Sequence, residues 1–532
     1  MRLCELISGI GVTLLDPELA DARVCDMTED SRTVLPGSLF VARRGTRSDG
    51  RAYIPAAVAA GAAAILCDDS QPAPHAPGVA RLTAPDVSLA ESLLAERFFG
   101  SPSSSLLMIG ITGTNGKTTT AHLTYQMLNA SGIPSGLIGT VWVDDGTERA
   151  EATLTTPLSI ELSHTLSRMV EAGRTAAVME VSSHALDQHR VAALQFDVGV
   201  FTNITGDHLD YHGSMENYLA AKAKLFQMLP PEGTAVINVD DPRAEQLIER
   251  CRARVLRCTA DSSRAQQADC HVRAEGMTAS ETQAVFRGPW GEIQASFPLI
   301  GRHNLMNALQ AITCAHLAGV KPSKIRSALT LAEPPPGRLE RVHGPGQAAD
   351  ESLIVLVDYA HTDDALANVL TTLRPLARQQ GGLLRVVFGC GGDRDRTKRP
   401  RMAKVACQLA DRIIVTSDNP RTEEPAAIIR EILAGVEPAD RDRVRVDVER
   451  EVAIAKAVEE AGPDDILLIA GKGHETYQLL PDGKGGITRR DFDDRLVAAA
   501  ALERRVARHR ASTEGSTRIG VSNRPSGGVI AT

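Results

Sequence analysis

The chain has 532 residues, of which 43% are hydrophobic and 23% are charged, and its formal net charge is −8. This is an ordinary globular composition, and at roughly 150 residues per domain the length predicts about three domains. The negative balance argues against general affinity for nucleic acid, and the longest apolar run, 14 residues from Ile54, falls short of the roughly 20 that cross a bilayer.

The cysteines and the N-terminus indicate the compartment. Nine cysteines are scattered from Cys4 to Cys407 without a CxxC pair, which favours reduced thiols over a disulfide framework. The first residues, MRLCELISGIGVTLLDPELA, carry Glu5 and Asp16 and lack the long apolar core of a secretory signal. We therefore predict a cytoplasmic protein without nucleic-acid or membrane partners, and we expect a monomer.

The first 105 residues form a segment of their own. Within it, IPAAVAAGAAAILC, from Ile54, predicts an Ala-rich helix that leads into a short strand. FFGSPSSS, residues 98–105, is rich in Ser, Pro and Gly and is typical of a linker. A domain boundary near residue 106 follows.

Beyond residue 105, strand-like runs alternate with helical ones. SLLMIGIT precedes TTTAHLTYQMLNA, TAAVMEV precedes SSHALDQHRVAA, LLRVVFG precedes RPRMAKVACQLA, and RIIVTS precedes AAIIREIL. This alternation is typical of βαβ units with parallel sheets. A Pro-rich stretch at 331–346 places a second boundary near 337, and the polar, aperiodic chain after about 505 predicts a disordered tail.

The strongest single motif is MIGITGTNGKTTTAH, residues 108–122, where an apolar strand meets a Gly-rich turn and a helix start. Backbone N–H groups of such a turn point at phosphates, the lysine adds a mobile positive charge, and the first threonine hydroxyl can coordinate Mg²⁺. A plain turn with a surface lysine does not explain this combination. The predicted ATP-binding residues are Gly113, Thr114, Asn115, Gly116, Lys117, Thr118 and Thr119.

The spacing of this motif departs from the usual G-x-x-x-x-G-K-[ST], because Ile111 stands where the first glycine is expected. The shorter form, GTNGKTT, resembles the signature of the Mur ligase family, whose members use ATP to join an amino acid to a carboxylate. Further matches follow in the order that this family requires, and the resemblance covers roughly residues 20 to 500.

The resemblance implies a magnesium site beside the phosphate loop. VMEVSSHALDQHRV supplies Glu180, and FTNITGDHLDYHGSMENYLAAKAKLF supplies His208 and Lys222. With Thr118, these residues are the implied metal ligands, and Lys222 is implied to be carbamylated; Lys224 is the competing lysine. Cations are needed because the γ-phosphate of ATP and a substrate carboxylate repel each other. Lys117, Lys222 and His208 are the implied catalytic residues.

The family resemblance also implies an acidic, UDP-linked substrate, UDP-N-acetylmuramoyl-L-alanyl-D-glutamate. MTEDSRTVLPGSLFVARRGTRSDGRAYIP matches a uridine-binding segment. Hydroxyl, amide and guanidinium groups suit the carboxylate and phosphate oxygens of such a substrate. The implied contacts are Ser31, Thr46, Arg47 and Ser48 for UDP, and Thr155, Thr156, Ser182, Gln188 and Arg190 for the muramoyl dipeptide.

The loop TSDNPRTEEP, residues 416–425, read alone is a turn that opens a helix. Its DNPR form, with the neighbouring GDRDR and GKGHE segments, resembles the family's pocket for meso-diaminopimelate, whose far end carries an ammonium and a carboxylate. Arg421 would pair with that carboxylate, and Asp418 and Asn419 would accept from the ammonium. The full set of implied contacts is Arg394, Asp418, Asn419, Pro420, Arg421, Gly471 and Glu475.

Together these matches imply an α/β protein of three domains and a tail. The domains are an N-terminal UDP-binding domain (1–105), a central P-loop ATPase-like domain with a parallel sheet (106–337) and a C-terminal Rossmann-like amino-acid-binding domain (338–505), followed by a disordered tail (506–532). Asn304 and Arg338 are implied ATP contacts. The expected reaction is ATP- and Mg²⁺-dependent addition of meso-diaminopimelate through an acyl phosphate. The alternatives are a lysine-adding variant, a sibling ligase of the folylpolyglutamate or D-alanyl-D-alanine-adding type, and a P-loop switch.

Overall fold

The computed structural model describes residues 1–45, 49–344 and 353–519. The chain divides into two compact units. The first comprises Met1–Met277, Glu281–Pro298 and Arg302–Glu333, and the second comprises Thr278–Ser280, Leu299–Gly301 and the chain from Pro334 onward.

In the described residues, the first unit begins with a five-stranded sheet of order β1-β5-β4-β3-β2, parallel except for the β1–β5 pair. Its strands are β1 (Thr13–Leu14), β2 (Asp26–Thr28), β3 (Ser38–Val41), β4 (Ala64–Asp68) and β5 (Ala80–Ala84). The helices are α1 (Leu3–Ile7), α2 (Ile54–Ala59) and α3 (Val87–Phe98). Buried leucines of α1, α3, β3, β4 and β5 form the core on one face of this sheet. The predicted Ala-rich helix and following strand are α2 and β4.

The rest of the first unit is built on an eleven-stranded sheet, counted over the described residues, of order β16-β15-β14-β13-β12-β11-β6-β10-β7-β8-β9. Its strands are β6 (Leu107–Thr112), β7 (Ser135–Ile138), β8 (Trp142–Asp144), β9 (Arg149–Glu151), β10 (Ala176–Glu180), β11 (Val198–Phe201), β12 (Thr234–Asn238), β13 (Arg254–Thr259), β14 (Cys270–Met277), β15 (Thr282–Gly288) and β16 (Gly291–Phe297). Its centre is parallel, and antiparallel pairs lie at both edges.

Helices cover this sheet. They are α4 (Lys117–Ala130), α5 (Ser159–Glu171), α6 (Ser183–Asp187), α7 (Leu209–His212), α8 (Met215–Met228), α9 (Ala244–Ile248), α10 (Arg302–Leu317) and α11 (Pro322–Thr330). The central strands are buried on both faces, which explains their continuous apolar sequence. In register, Glu180 of β10 lies beside Ile111 of β6, and Phe201 of β11 lies beside Thr112. The carboxyl ends of these three strands therefore meet at one edge of the sheet.

The second unit contains a six-stranded sheet, within its described part, of order β17-β18-β22-β19-β20-β21, and a separate hairpin. The strands are β17 (Glu340–Val342), β18 (Ile354–Asp358), β19 (Leu384–Phe388), β20 (Arg412–Val415), β21 (Val444–Val446) and β22 (Ile466–Ala470), and the hairpin pairs β23 (Tyr477–Pro481) with β24 (Ile487–Asp491). The helices are α12 (Asp363–Gln380), α13 (Lys398–Leu409), α14 (Pro425–Leu433), α15 (Arg450–Glu460) and α16 (Asp494–Ile519).

Local sequence explains where α12 begins and ends. The Thr362 side chain accepts a hydrogen bond from the amide of Ala365. Two aspartates occupy the first turn, where their negative charge interacts favourably with the positive end of the helix dipole. Gly381 ends the helix in the left-handed conformation, with φ of 79°.

The α/β class with parallel sheets is confirmed. The two compact units divide near residue 334, and the predicted domain boundaries at 106 and 337 stay predictions. Helix α16 continues to Ile519, so part of the predicted tail is helical, and residues 520–532 lie outside the described residues.

Two further observations bear on the sequence predictions. All nine cysteines, each of them in the described part of the chain, are free thiols. Among the helices of residues 1–45, 49–344 and 353–519, none has the length and apolarity needed to cross a membrane.

Candidate active site

The phosphate loop lies between β6 and α4, as predicted, and two of its glycines permit close approach by neighbouring residues. Gly113 has φ of 151°, and a Cβ there would lie 1.9 Å from Thr202 Oγ1. Gly116 has φ of 86°, and a Cβ there would lie 2.5 Å from Asn307 Oδ1. Any side chain at either position would force the loop away from its supports.

A second loop, residues 202–205 after β11, holds the phosphate loop in place. Asn203 accepts from the Thr114 amide through its backbone oxygen at 2.8 Å and from the Asn115 amide through Oδ1 at 3.0 Å. Thr202 Oγ1 donates to the Asn115 oxygen at 2.6 Å. The sequence predictions missed Thr202 and Asn203, although their place directly after an apolar strand was a usable signal.

Two lysines meet at one backbone oxygen of the phosphate loop. Lys117 Nζ donates to the oxygens of Gly113 and Thr114, both at 2.9 Å, and Lys222 Nζ donates to the Gly113 oxygen at 2.8 Å. Lys222 is buried on α8, with its Nζ 4.4 Å from the centre of the Tyr218 ring. Burial, with the charge of Lys117 second, lowers the pKa of Lys222 well below its ordinary value.

Glu180, at the end of β10, brings a carboxylate to the first turn of α4. Its carboxylate accepts from the Thr118 hydroxyl at 3.0 Å, and from the amide and hydroxyl of Thr140 at 2.7 and 3.0 Å. Glu180 is only 1% exposed. Thr140 was another residue that the sequence predictions missed.

Oxygen donors of this type suit Mg²⁺, so Glu180 and Thr118 fit the implied ion. Within residues 1–45, 49–344 and 353–519, no group of three or more His, Cys, Asp or Glu side chains is arranged as a metal site. A magnesium site here would use the Glu180 carboxylate and the Thr118 hydroxyl together with phosphate or water oxygens. Its ligand set stays a prediction.

His208 lies immediately before α7 and belongs to an aromatic cluster. Its ring is 4.9 Å from that of His184 and 6.4 Å from that of Tyr218, measured between centroids. The side chain is 49% exposed, and its Nε2 lies 3.5 Å from Asp207 Oδ2. Through Tyr218 the cluster reaches Lys222, but the role of His208 as a metal ligand stays a prediction.

The residues predicted to hold the muramoyl dipeptide converge next to Glu180. Thr156 Oγ1 donates to the Glu180 backbone oxygen at 2.8 Å and accepts from the Ser182 amide at 3.0 Å. Arg190 Nη1 donates to the Thr156 oxygen at 2.9 Å, and its Nη2 donates to Gln188 Oε1 at 2.7 Å. Thr155 Oγ1 lies 3.1 Å from Thr140 Oγ1.

The remaining predicted residues of the first unit are less informative. Ser31 is half-buried after β2, and Thr119 is buried in α4. Asn304 is buried in α10, where its Oδ1 accepts from Asn307 Nδ2 at 2.9 Å. Thr46, Arg47 and Ser48 lie outside the described residues.

In the second unit, the loop after β20 forms a charged cluster with the turn after β22. Lys472, which is fully buried, donates to Asn419 Oδ1 at 3.0 Å and to Glu475 Oε2 at 2.8 Å. Asn419 Nδ2 donates to Glu475 Oε2 at 2.7 Å. Glu475 thus has an ammonium partner within the protein itself, on a lysine that the sequence predictions missed.

Asp418 is almost fully buried beside this cluster. Burial alone would raise the pKa of its carboxyl, but the charges of Lys472 and Arg450 outweigh burial and hold the pKa below its usual value. Gly471, with φ of 121°, makes room for it, because a Cβ there would lie 2.4 Å from Asp418 Oδ2. Asp418 is therefore held as a carboxylate.

Arg421 adopts the left-handed conformation, with φ of 54°, and its Nη1 donates to the Gly392 oxygen at 2.7 Å. Glycines of the neighbouring loop permit this packing, since a Cβ on Gly392 would lie 1.9 Å from the Pro420 oxygen. Arg394, on the same glycine-containing loop, is exposed. The GDRDR and DNPR segments thus lie next to each other.

Three family models match this chain: "Mur ligase family, catalytic domain" over residues 26–98, "Mur ligase middle domain" over 111–315, and "Mur ligase, glutamate ligase domain" over 337–473. The chain belongs to the Mur ligase family.

Relatives in this family carry a specific name. The chain is 47% identical over 506 residues to the UDP-N-acetylmuramoyl-L-alanyl-D-glutamate–2,6-diaminopimelate ligase of Synechococcus sp. strain WH7803, covering 94% of this chain and 98% of the relative. It is 45% identical over 487 residues to the protein of the same name from Chlorobaculum tepidum, covering 90% and 94%. A solved structure of an enzyme of that name matches with a TM-score of 0.66 at 30% identity, covering 96% of this chain and 99% of that chain.

In this Mur ligase, Arg338, a predicted nucleotide contact, lies against an aromatic ring. The Arg338 guanidinium lies 4.8 Å from the centre of the Tyr359 ring. Tyr359 directly follows Asp358, whose carboxylate accepts from the amides of Leu339 and Ala360 at 2.7 and 2.8 Å. The backbone next to Arg338 is therefore fixed to the end of β18.

A buried ion pair supports the Asp418 loop of this Mur ligase. Arg450 and Asp494 are both fully buried, and Arg450 donates to the Asp494 carboxylate through Nε and Nη2, each at 2.7 Å. Arg450 Nη2 also donates to the Ala470 oxygen at 3.0 Å. The pair thereby joins α15 and α16 to the end of β22.

We expect Arg450→Met to destabilise the protein by about 3 to 5 kcal/mol, because it leaves the Asp494 charge buried without its partner. The double variant Arg450→Met with Asp494→Leu should recover at least half of the loss, since removing both charges is often nearly neutral. Thermal unfolding of the full chain checks this. A double variant that unfolds at a lower temperature than the single variant would contradict the argument.

Proposed function

We propose that this protein is an ATP-dependent ligase that adds meso-diaminopimelate to the D-glutamate of UDP-N-acetylmuramoyl-L-alanyl-D-glutamate. The observation that carries the proposal is the meeting of Lys117, Lys222 and the Thr118–Glu180 pair at one phosphate loop. Two anions must approach each other in this reaction, and such a site supplies positive charge and metal ligands together. The names of the relatives support the choice of substrates.

In the proposed mechanism, backbone amides of the phosphate loop and Lys117 bind the phosphates of ATP. Lys117 releases the oxygens of Gly113 and Thr114 and turns toward the γ-phosphate, where negative charge develops during transfer. The glutamyl carboxylate attacks the γ-phosphorus and ADP leaves, which yields an acyl phosphate. Thr155, Thr156, Ser182, Gln188 and Arg190 orient the carboxylate donor.

Thr118 and Glu180 would hold Mg²⁺, with His208 and carbamylated Lys222 completing the implied set. Bound Mg²⁺ would reduce the repulsion between the γ-phosphate and the glutamyl carboxylate. Within the protein, the Glu180 carboxylate fixes the Thr118 hydroxyl and the Thr140 loop.

Lys222 is suited to carbamylation because burial favours its neutral amine, which is the form that attacks CO₂. The amine nitrogen forms a bond to the carbon of CO₂ while one carbon–oxygen π pair moves onto its oxygen, and the nitrogen releases one proton to water, which leaves a carbamate anion. An anion at this position would balance the Lys117 charge better than a second ammonium would.

The pocket of the second unit is proposed to select the amino acid. Arg421 would pair with the far carboxylate of meso-diaminopimelate, and Asp418 would accept from its far ammonium. Lys472 keeps Asn419 and Glu475 in place for the same ligand. Lysine lacks the far carboxylate, so it would leave Arg421 without its anion.

A product assay tests the proposal. The full chain is incubated with ATP, Mg²⁺, the UDP-linked dipeptide and either meso-diaminopimelate or lysine, and the products are resolved by mass spectrometry. We expect the diaminopimelate tripeptide, with ADP formed in equal amount. A lysine product would indicate the lysine-adding variant, and ATP hydrolysis that needs neither substrate would indicate a P-loop switch.

A further inference from the structure

Four charged residues meet in the first unit where α3, the ends of β2 and β3, and the segment after α6 come together. They are Glu29, Arg43, Glu91 and Arg190, called here the arginine–glutamate cluster. Arg43 Nη2 lies 2.6 Å from Glu29 Oε2, and Arg43 Nε lies 3.9 Å from Glu91 Oε2. Arg190 interacts electrostatically with the other three residues.

Glu91 is the unusual member, because it is a buried acid without a hydrogen-bonding partner. It is 1% exposed, and within residues 1–45, 49–344 and 353–519 neither carboxylate oxygen has such a partner. Burial, with repulsion from Glu29 second, raises the pKa of Glu91 to about 8, against the attraction of Arg43 and Arg190. An isolated buried carboxylate is costly, so Glu91 holds a proton at neutral pH.

Among residues 1–45, 49–344 and 353–519, the charged groups that interact with Glu91 are Glu29 beyond β2, Arg43 beyond β3 and Arg190 beyond α6. Helix α5 packs along α3, but its Ser163 hydroxyl donates to Glu96 at 2.9 Å and not to Glu91. Within the described part of the chain, burial and the other three members of the cluster thus determine the titration of Glu91.

The cluster has an excess of positive charge while Glu91 is protonated. Arg43 and Arg190 are then balanced by Glu29 alone, which leaves one net positive charge. Burial, and next the charge of Arg43, lower the pKa of Arg190, so the two guanidinium groups repel each other. An anion between or beside them would relieve that repulsion. Ionisation of Glu91 would supply such an anion internally.

We propose that Arg43 and Arg190 together bind an anionic group of the UDP-linked substrate, and that Glu91 competes with this group, so that the substrate binds when Glu91 is protonated. This rests on the proposed function, which already assigns Arg190 to the substrate; the new assignments are Arg43 and Glu91. Arg190 also contacts Thr156 and Gln188, which places the cluster next to the proposed dipeptide contacts. The ligand group is a diphosphate or a carboxylate.

Calorimetric titration of the full chain with UDP-N-acetylmuramoyl-L-alanyl-D-glutamate, without ATP, tests this between pH 6.5 and 9. Competition with one group whose pKa is about 8 should raise the Kd about tenfold from pH 7 to pH 9 and give proton uptake on binding at pH 8.5. Glu91→Gln should abolish both effects and keep tight binding at pH 9. Arg43→Gln should weaken binding at pH 7 about tenfold.

Glu96→Gln is the matched control, since Glu96 is also buried on α3 but accepts from Ser103 and Ser163 hydroxyls. It should keep the wild-type pH dependence. Titration with UDP alone distinguishes the two ligand groups: a retained pH effect indicates the diphosphate, and an effect seen only with the dipeptide substrate indicates a carboxylate.

A Kd that is equal at pH 7 and pH 9, or a pH effect that persists in Glu91→Gln, would overturn this inference alone. Failure of the chain to bind the UDP-linked dipeptide at any pH would instead overturn the proposed function.

Discussion

Replacing Lys117 with alanine is expected to lower the rate of ATP-dependent ligation by a factor of about 10³. The proposed role of Lys117 is to stabilise charge that develops during phosphoryl transfer, and removing one such donor typically costs about 10² to 10³ in kcat. Lys222 would remain at the Gly113 oxygen, but it is buried and cannot replace a mobile ammonium. Phosphate release, measured with all three substrates at saturation, gives the rate.

The control for this change is Lys324→Ala. Lys324 is exposed on α11 of the same unit and has no proposed role, so its loss should leave the rate within about twofold of the original. If Lys117→Ala kept full activity, both the phosphate-loop assignment and the proposed reaction would be wrong.

Replacing Arg421 with alanine is expected to raise the KM for meso-diaminopimelate about 100-fold and to change the KM for ATP less than threefold. Truncating one partner of a hydrogen-bonded charge pair costs about 2 to 5 kcal/mol, and about 2.7 kcal/mol corresponds to a factor of 100. The KM for lysine, which offers no far carboxylate, should change little in this variant. Steady-state kinetics with each substrate varied in turn measures these changes.

Two variants separate recognition by Arg421 from support of its loop. Arg421→Lys keeps the positive charge but loses the planar guanidinium that can bind a carboxylate through two hydrogen bonds. Its KM for meso-diaminopimelate should therefore lie between those of the wild type and the alanine variant. Arg430 is exposed on α14, so Arg430→Ala should leave the KM for meso-diaminopimelate and the KM for ATP unchanged. Equal losses of affinity for diaminopimelate and ATP in Arg421→Ala would mean that the loop only supports the structure.

The phosphate loop was predictable from sequence because strand, turn and helix follow one another along the chain. Lys117 does begin α4, and Glu180 does end β10. Pro425, the last residue of TSDNPRTEEP, is also a local signal of a helix start, and α14 begins there. Local signals of this type report both the element and its boundary.

Residues whose role depends on distant contacts were not predicted. Asn203 contacts the phosphate loop across a separation of 88 residues. Lys472 lies between two glycines in a turn, where a lysine is usually solvated, and only the folded chain shows that it is fully buried. Glu91 was missed for the same reason, since an acid on a helix does not normally indicate burial.

The helical part of the predicted tail has a simpler explanation. The segment from Asp494 to Ile519 contains six Ala and six Arg residues, which favour helix even where apolar periodicity is weak. The prediction of a disordered tail after residue 505 rested on Gly and Ser residues, and most of these lie beyond Ser512.

The pairing of β10 with β6 places Glu180 beside Ile111, and this has a consequence for folding. Successive residues of a strand point to opposite faces, so a slip of one residue in that pairing would turn the Glu180 side chain away from α4. The Thr118–Glu180 contact thus reports correct strand alignment, and misaligned chains would lack the carboxylate at the phosphate loop while keeping most of their hydrophobic burial. Activity of this enzyme would then count only correctly registered molecules in any refolded sample.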